Sequence, residues 1–183
     1  MKIYKFTNGD TYTPFAAAWE YFICEDKLTI PFDDLKKEIL DKEKSIIDQY
    51  EFEGDWGTNL GANSLTARSN KYNLLRFDSA DPLRRCIKKT HDKFVMEIGF
   101  KYAPQIYVQC WANVMRKGDQ IAVHSHGTDP YGYLSGHVCV QVNDTNTNYY
   151  NPYGGSPWDS PNEVGKLTPV SYTHLPLPTK AKV

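Results

Sequence analysis

No stretch of this chain is apolar for long enough to span a bilayer, and its start, MKIYKFTNGD, lacks the apolar core of a signal peptide. Cysteine is scarce. Cys24, Cys86, Cys110 and Cys139 are widely scattered beside mostly apolar neighbours, and no C-x-x-C pair occurs. That spacing argues against a zinc cluster or a disulfide framework and predicts buried, reduced thiols. An excess of either charge is also missing, with 21 basic residues against 22 acidic ones and a net charge of −1. No bulk electrostatic drive toward nucleic acid or an anionic membrane follows from that balance. These absences predict a cytoplasmic protein with no membrane and no clear nucleic-acid binding, and they leave the oligomeric state open.

Aromatic residues, by contrast, are plentiful at 14%, thirteen of them tyrosine. That suits a β-rich core or an aromatic-lined pocket better than a helical bundle. A chain of 183 residues fits one domain able to bury a core without staples. Lys2 to Phe6 alternates as a short strand does and ends at the turn Asn8-Gly9-Asp10, while Trp19 to Cys24 suits either a strand or a short buried helix. After Pro31, apolar positions at Phe32, Leu35, Ile39, Ile46 and Ile47 predict a helix over 32–49, with Asp33 and Asp34 in its first turn and Lys36 to Lys44 as a solvated face.

Gly54 to Ala62 reads as a loop. A second helix is expected over 82–98, with Asp81 as N-cap, Pro82 as first helical residue, an apolar stripe from Leu83 to Ile98 and Gly99 as the stop. His91 lies near that stripe and reads as a satisfied or surface side chain. Beyond Gln105 helical periodicity stops. Strands are expected over Ile106 to Met115, Gln120 to Ser125, Leu134 to Val142 and Asn148 to Asn151, then a Gly/Pro-rich loop from Pro152 to Pro161. Helices first and strands afterwards indicate α+β, with short strands on Gly-rich turns suggesting a barrel or jelly roll.

The chemistry concentrates between Trp111 and Val142. His124 and His126 stand one residue apart on a run with strand character, so both rings project to the same side and can reach one point. Asp129 follows in a turn. Two imidazoles suit iron, zinc, copper, nickel or manganese, and an added carboxylate shifts the preference toward iron or manganese. The bland reading of the same pair is a polar face on an edge strand. Against it stand the turn at Gly118, the returning charge of Asp129 and the small pair Ser135-Gly136 on the next strand.

At these residues the chain resembles a family. N-V-M-x-x-G-D-(x)4-H-x-H from Asn113, followed eight residues later by Leu134-Ser135-Gly136, is similar to iron(II)/2-oxoglutarate-dependent oxygenases with a distorted double-stranded β-helix, many of them carried by phages and marine bacteria. The resemblance spans 65–167. It implies a double-stranded β-helix (a jelly-roll or cupin-like barrel) over 105–167 behind a helical part, 1–104, in a single domain 1–167. It also implies iron(II) held by His124 with His126 or Asp129, and 2-oxoglutarate as a small-molecule co-substrate for hydroxylating an unidentified substrate. The wider superfamily has an acidic residue where this chain has His126. Asn113, Ser135, His137 and Gln141 are candidates for orienting co-substrate or substrate.

A second resemblance competes. Gly118-(x)5-His124-x-His126-(x)2-Asp129-(x)6-Gly136 is close to the first cupin motif, with aspartate for glutamate and a spacer one residue short. It implies the same architecture but a metal-binding protein with no need of 2-oxoglutarate. A non-catalytic β-barrel binding module is the third possibility. Oxygenases of this kind carry a distal histidine and then an arginine or lysine for the far carboxylate. Here Gly165-Lys166-Leu167 runs into TPVSYTHLPLPTKAKV, where His174 and Lys180 are the candidates. Pro169, Pro176 and Pro178 make 168–183 a poor central strand. The tail resembles translated adaptor or vector sequence joined near Leu167, so a barrel incomplete at its C-terminus is expected, with Pro169 to Val183 outside the sheet.

Overall fold

The computed structural model describes residues 1–7, 15, 20–55, 57–124, 126, 134–142 and 147, with backbone alone for 6, 7, 21 and 176–181. The chain divides into two compact units, one of Met1–Thr29 with Gly127–Val183 and the other of Ile30–His126. The first unit joins two stretches distant in sequence, because strands from each pair with one another.

The first unit holds an antiparallel sheet of β1 (Lys2–Thr7), β2 (Glu20–Lys27), β3 (Leu134–Gly136) and β4 (Pro176–Ala181), in the order β1-β2-β4-β3. Of the ambiguous Trp19 to Cys24 stretch, Glu20 to Cys24 is thus extended, which suits its aromatic and β-branched residues. Cys24 sits opposite Ile3 on one side and Thr179 on the other. Ile23 and Cys24 are buried, and the Tyr4 hydroxyl donates to Glu25 Oε2 across the β1–β2 pair at 2.9 Å.

The tail is where expectation and structure part. Residues 176–181 lie inside the sheet, not outside it. Proline cannot donate to a ladder, but β3 pairs only with Thr179, Lys180 and Ala181. Pro176 and Pro178 therefore occupy the stretch of β4 that has β2 alone as neighbour, opposite Lys27 and Glu25. Being two apart, their nitrogens face one side, so the missing donors fall together.

The strands expected over Ile106 to Met115 and Gln120 to Ser125 carry no ladder among the described residues, and of Leu134 to Val142 only Leu134–Gly136 is paired. The described architecture is α+β without a double-stranded β-helix. Asn8-Gly9-Asp10, Asn148 to Asn151 and Pro152 to Pro161 lie outside the described residues. No helix among the described residues is long and apolar enough to cross a membrane.

The second unit is built on α1 (Asp33–Gln49) and α2 (Asp81–Glu97), close to the predicted spans. Leu35, Ile39 and Ile46 of α1 and Leu83, Cys86, Phe94 and Val95 of α2 are buried, together with Leu65, Leu74 and Phe77 from the segment between the helices. That segment contains three 3-10 turns, Thr66–Arg68, Leu74–Arg76 and Asp78–Ala80. The last runs straight into α2, so Ala80 takes the N-cap position expected of Asp81. The Asp81 carboxylate instead binds Arg84. At the other end, Gly99 at φ 100° donates to Met96 O and Phe100 donates to Val95 O. This pair of bonds is the Schellman closure that only a residue tolerant of positive φ makes cheaply. All four cysteines are thiols, and His91 is buried with Nδ1 3.0 Å from Asp92 Oδ1.

Glu38, placed by its helical spacing on a solvated face, turns out to join α1 to the 3-10 turn before α2. Its carboxylate accepts from Lys42 Nζ at 2.6 Å, from the Ser79 hydroxyl and N–H, and from the Asp78 N–H. These donors, Lys42 first, hold its pKa down at about 2 from an ordinary 4.5. A carboxyl depressed in the folded state contributes stability fully present above its ordinary value and lost as pH falls toward the folded one. Glu38→Gln should lower stability near neutrality by about 1–3 kcal/mol. Urea unfolding should show its deficit against the parent chain shrinking between pH 4.5 and about 2, and a pH-independent deficit would refute this linkage.

Candidate metal centre

The path to the paired histidines begins at a turn. Arg116 and Asp119 close it through Asp119 N–H to Arg116 O at 2.9 Å and Arg116 N–H to Asp119 Oδ2 at 2.7 Å, with Gly118 at φ 99°. The Arg116 guanidinium grips Glu43 of α1 in a fork, at 3.0 and 2.6 Å, which pins the turn to the helix. Further on, Ala122 donates to Thr58 O of the glycine-rich loop at 2.9 Å.

Before the turn, residues 106–115 are tied down by the inter-helix segment instead of by a partner strand. Cys110 O accepts from Leu74 N–H at 2.7 Å and Val108 O from Asn73 Nδ2 at 2.9 Å. Gln109 Nε2 donates to Ser69 O and Tyr72 O, and Ala112 N–H donates to the Tyr72 hydroxyl at 2.8 Å. Burial raises the Tyr72 pKa, so this hydroxyl stays neutral. It likewise pushes the Cys110 thiol up to about 11, which makes it a weak ligand or nucleophile. Side-chain and loop groups thus consume the backbone positions that a ladder would need. That is the physical reason the strand pattern in this run yields no strand.

The chain so anchored brings His124 and His126 together. Their Nε2 atoms lie 3.1 Å apart and their ring centroids 4.8 Å, the planes at 69°. His124 Nδ1 is 2.8 Å from Ala122 O. A carbonyl can only accept, so Nδ1 carries the hydrogen and the Nε2 lone pair faces His126. Two ligand nitrogens on one ion, at bonds of about 2.0–2.1 Å, stand about 3 Å apart. The pair can therefore hold one shared hydrogen or one metal ion between its nitrogens. Trp111 lies beside it, its ring centroid 6.2 Å from that of His126.

The remaining candidates are distributed. Asn113 shares the unit of the pair, and its Oδ1 accepts from the Thr66 hydroxyl at 2.6 Å. Ser135 belongs to the other unit, on β3 opposite Lys180, as does half-buried His137 just beyond it. Asp129 and His174 lie outside the described residues, as does the Lys180 side chain. Among the described residues no set of three histidine, cysteine or carboxylate groups converges. Two imidazoles are what the described residues offer a metal.

No family model, curated protein or solved structure matches this chain. The site therefore rests on its own geometry.

Reading the residues alone passed over Glu43, whose place in a charged helical run looks solvated, and Thr58, whose carbonyl gives no sequence signal. It also gave Trp111 no role. That ring supplies a readout. Adding cobalt(II) or nickel(II) should quench Trp111 fluorescence, and Trp111→Phe should remove most of the change. His124→Ala or His126→Ala should raise the midpoint of the titration at least about tenfold, since each removes one of two donors. An unshifted midpoint in both variants would exclude the pair as the binding site.

Proposed function

We propose that this chain supplies His124 and His126 as two iron(II) ligands of a 2-oxoglutarate-dependent oxygenase acting on a small-molecule co-substrate and a second, organic substrate. The observation that carries the reading is the 3.1 Å approach of the two Nε2 atoms, with His124 Nδ1 committed to a carbonyl. A carbonyl partner on the remote ring nitrogen is the arrangement that fixes a metal-binding tautomer. The resemblance of N-V-M-x-x-G-D, H-x-H and L-S-G to that oxygenase family selects iron and 2-oxoglutarate among the metals and acids that imidazoles would accept. In this reading Asp129 or a distal histidine, for which His174 is the candidate, completes the set, and the barrel is a double-stranded β-helix.

Bound iron would supply oxygen activation toward an unactivated carbon. The chain's own part is to hold and orient. His124 keeps its Nε2 lone pair presented because Ala122 O takes the other ring hydrogen. Asn113 has its carbonyl oxygen occupied by Thr66, which leaves its amide hydrogens as donors for a carboxylate. From the sequence, Ser135 and His137 remain the further polar candidates for orientation.

The test is 2-oxoglutarate consumption by the iron-loaded protein under air, with and without His124→Ala. Consumption in the parent chain that the substitution abolishes, together with iron binding, supports the oxygenase. Iron binding with no 2-oxoglutarate consumption would favour the cupin-type metal protein. Consumption that survives His124→Ala would remove the pair from the mechanism.

A further inference from the structure

The net charge of −1 hides an uneven distribution. On the outward face of α2 lie Arg85, Lys88, Lys89 and Lys93, all exposed, around a shallow depression completed by Asp92 and Met96. Lys88 is held by Asp92 at 2.5 Å, and at the N-terminal end Arg84 is held by Asp81. Arg85 feels Asp81 only as a more distant charge, and Lys89 and Lys93 have no bonded acid among the described residues. The three stand four residues apart, so they form a single row along the helix with a rise of about 6 Å per step. Like charges at this spacing repel, and within the helix Asp81 offsets this only at the Arg85 end of the row. The row is complementary to a regularly spaced polyanion.

Just past the helix the Schellman closure folds the chain back, and Phe100 and Tyr102 follow with 49% and 75% of their surface exposed. Exposed rings beyond a cationic row are the two components of sequence-tolerant single-strand binding, in which cations track phosphates and rings stack on bases. A membrane surface fits less well. A helix lying in an interface needs an apolar face to bury, and here that face offers only Met96 and the aliphatic stems of the cations.

We propose that the outer face of α2 binds the phosphate backbone of a single-stranded nucleic acid, with Phe100 and Tyr102 stacking on its bases. The face lies within the Ile30–His126 unit and uses neither His124 nor His126, so it stands apart from the metal reading. The expectation of no clear nucleic-acid binding came from net charge, which averages this row against acids elsewhere in the chain.

The full chain should change the fluorescence anisotropy of a labelled oligothymidylate at about 50 mM salt, more weakly at about 200 mM, as counterion release demands. Combined replacement Arg85→Ala, Lys89→Ala and Lys93→Ala should weaken binding more than tenfold and flatten the log–log salt slope by about 2, at about 0.7 per phosphate lost. Phe100→Ala with Tyr102→Ala should weaken binding at least fivefold and leave the salt slope unchanged. Alanine is the best helix former, so unchanged circular dichroism should accompany the triple variant. Lys36→Ala with Lys37→Ala, on α1, should alter binding less than twofold. The proposal fails if the chain does not bind at the lower salt, if the triple variant binds as well as the parent, or if the α1 pair costs as much as the α2 row. It fails equally if anionic phospholipid vesicles bind through these cations while the oligonucleotide does not.

Discussion

The second unit depends on one buried guanidinium. Arg68 is 6% exposed, and its nitrogens donate to the carbonyls of Tyr50, Ala62 and Ser64. Tyr50 is the last cap of α1, and Ala62 and Ser64 close the glycine-rich loop. A single side chain thus gathers the end of a helix and both sides of a loop whose glycines, at φ 127°, 79° and 74°, have no conformational preference of their own to offer. Bulk water is excluded around this charge, so its hydrogen bonds are stronger than they would be on the surface, and each acceptor left without it would be costly. The same loop, through Thr58, meets Ala122 two residues before the first histidine of the pair. The position of the candidate site is therefore referred back, bond by bond, to a cation that never touches it.

What the residues disclose depends on whether the deciding partner is near in sequence. Both helices were legible because their stripes repeat every turn and their ends carry Pro82 and Gly99. The approach of His124 to His126 was legible because a single residue separates them, so the deciding partner lies next door in the sequence. Residues 106–115 misled. Their alternation describes a chain that could pair with a strand, but Asn73, Leu74 and Tyr72 claim backbone groups of the run first, and that competition involves residues some 35 to 40 positions away. Glu38 and Glu43 were opaque because a helix face with lysines on both sides looks the same whether it meets solvent or a distant turn. The prolines of β4 misled in another way. They exclude a doubly paired strand, and here they sit where pairing is one-sided.

Electrostatics shows a parallel division. Two acids of α1 are committed inward, Glu38 to the turn before α2 and Glu43 to Arg116, while Arg85, Lys89 and Lys93 of α2 are left in an outward row. Two helices of similar composition and length thus carry different burdens: one is committed inward as an anchor, the other keeps its charge for the solvent side. Composition alone, being nearly balanced, cannot distinguish these two uses of the same residue types.

The arrangement of the sheet bears on how the chain is made. The Ile30–His126 unit is continuous, so it can close as soon as its own residues have left the ribosome. The sheet cannot. β2 has β1 as an immediate partner, but its other edge waits for Pro176–Ala181, with Cys24 opposite Thr179. Throughout synthesis of the intervening residues, β2 presents a row of unfilled backbone donors and acceptors beside Ile23 and Cys24, an open template for any other extended chain. The hazard is one of timing. It ends only when Pro176–Ala181 arrives, which makes a short, proline-containing segment the guard of the β1–β2 pair.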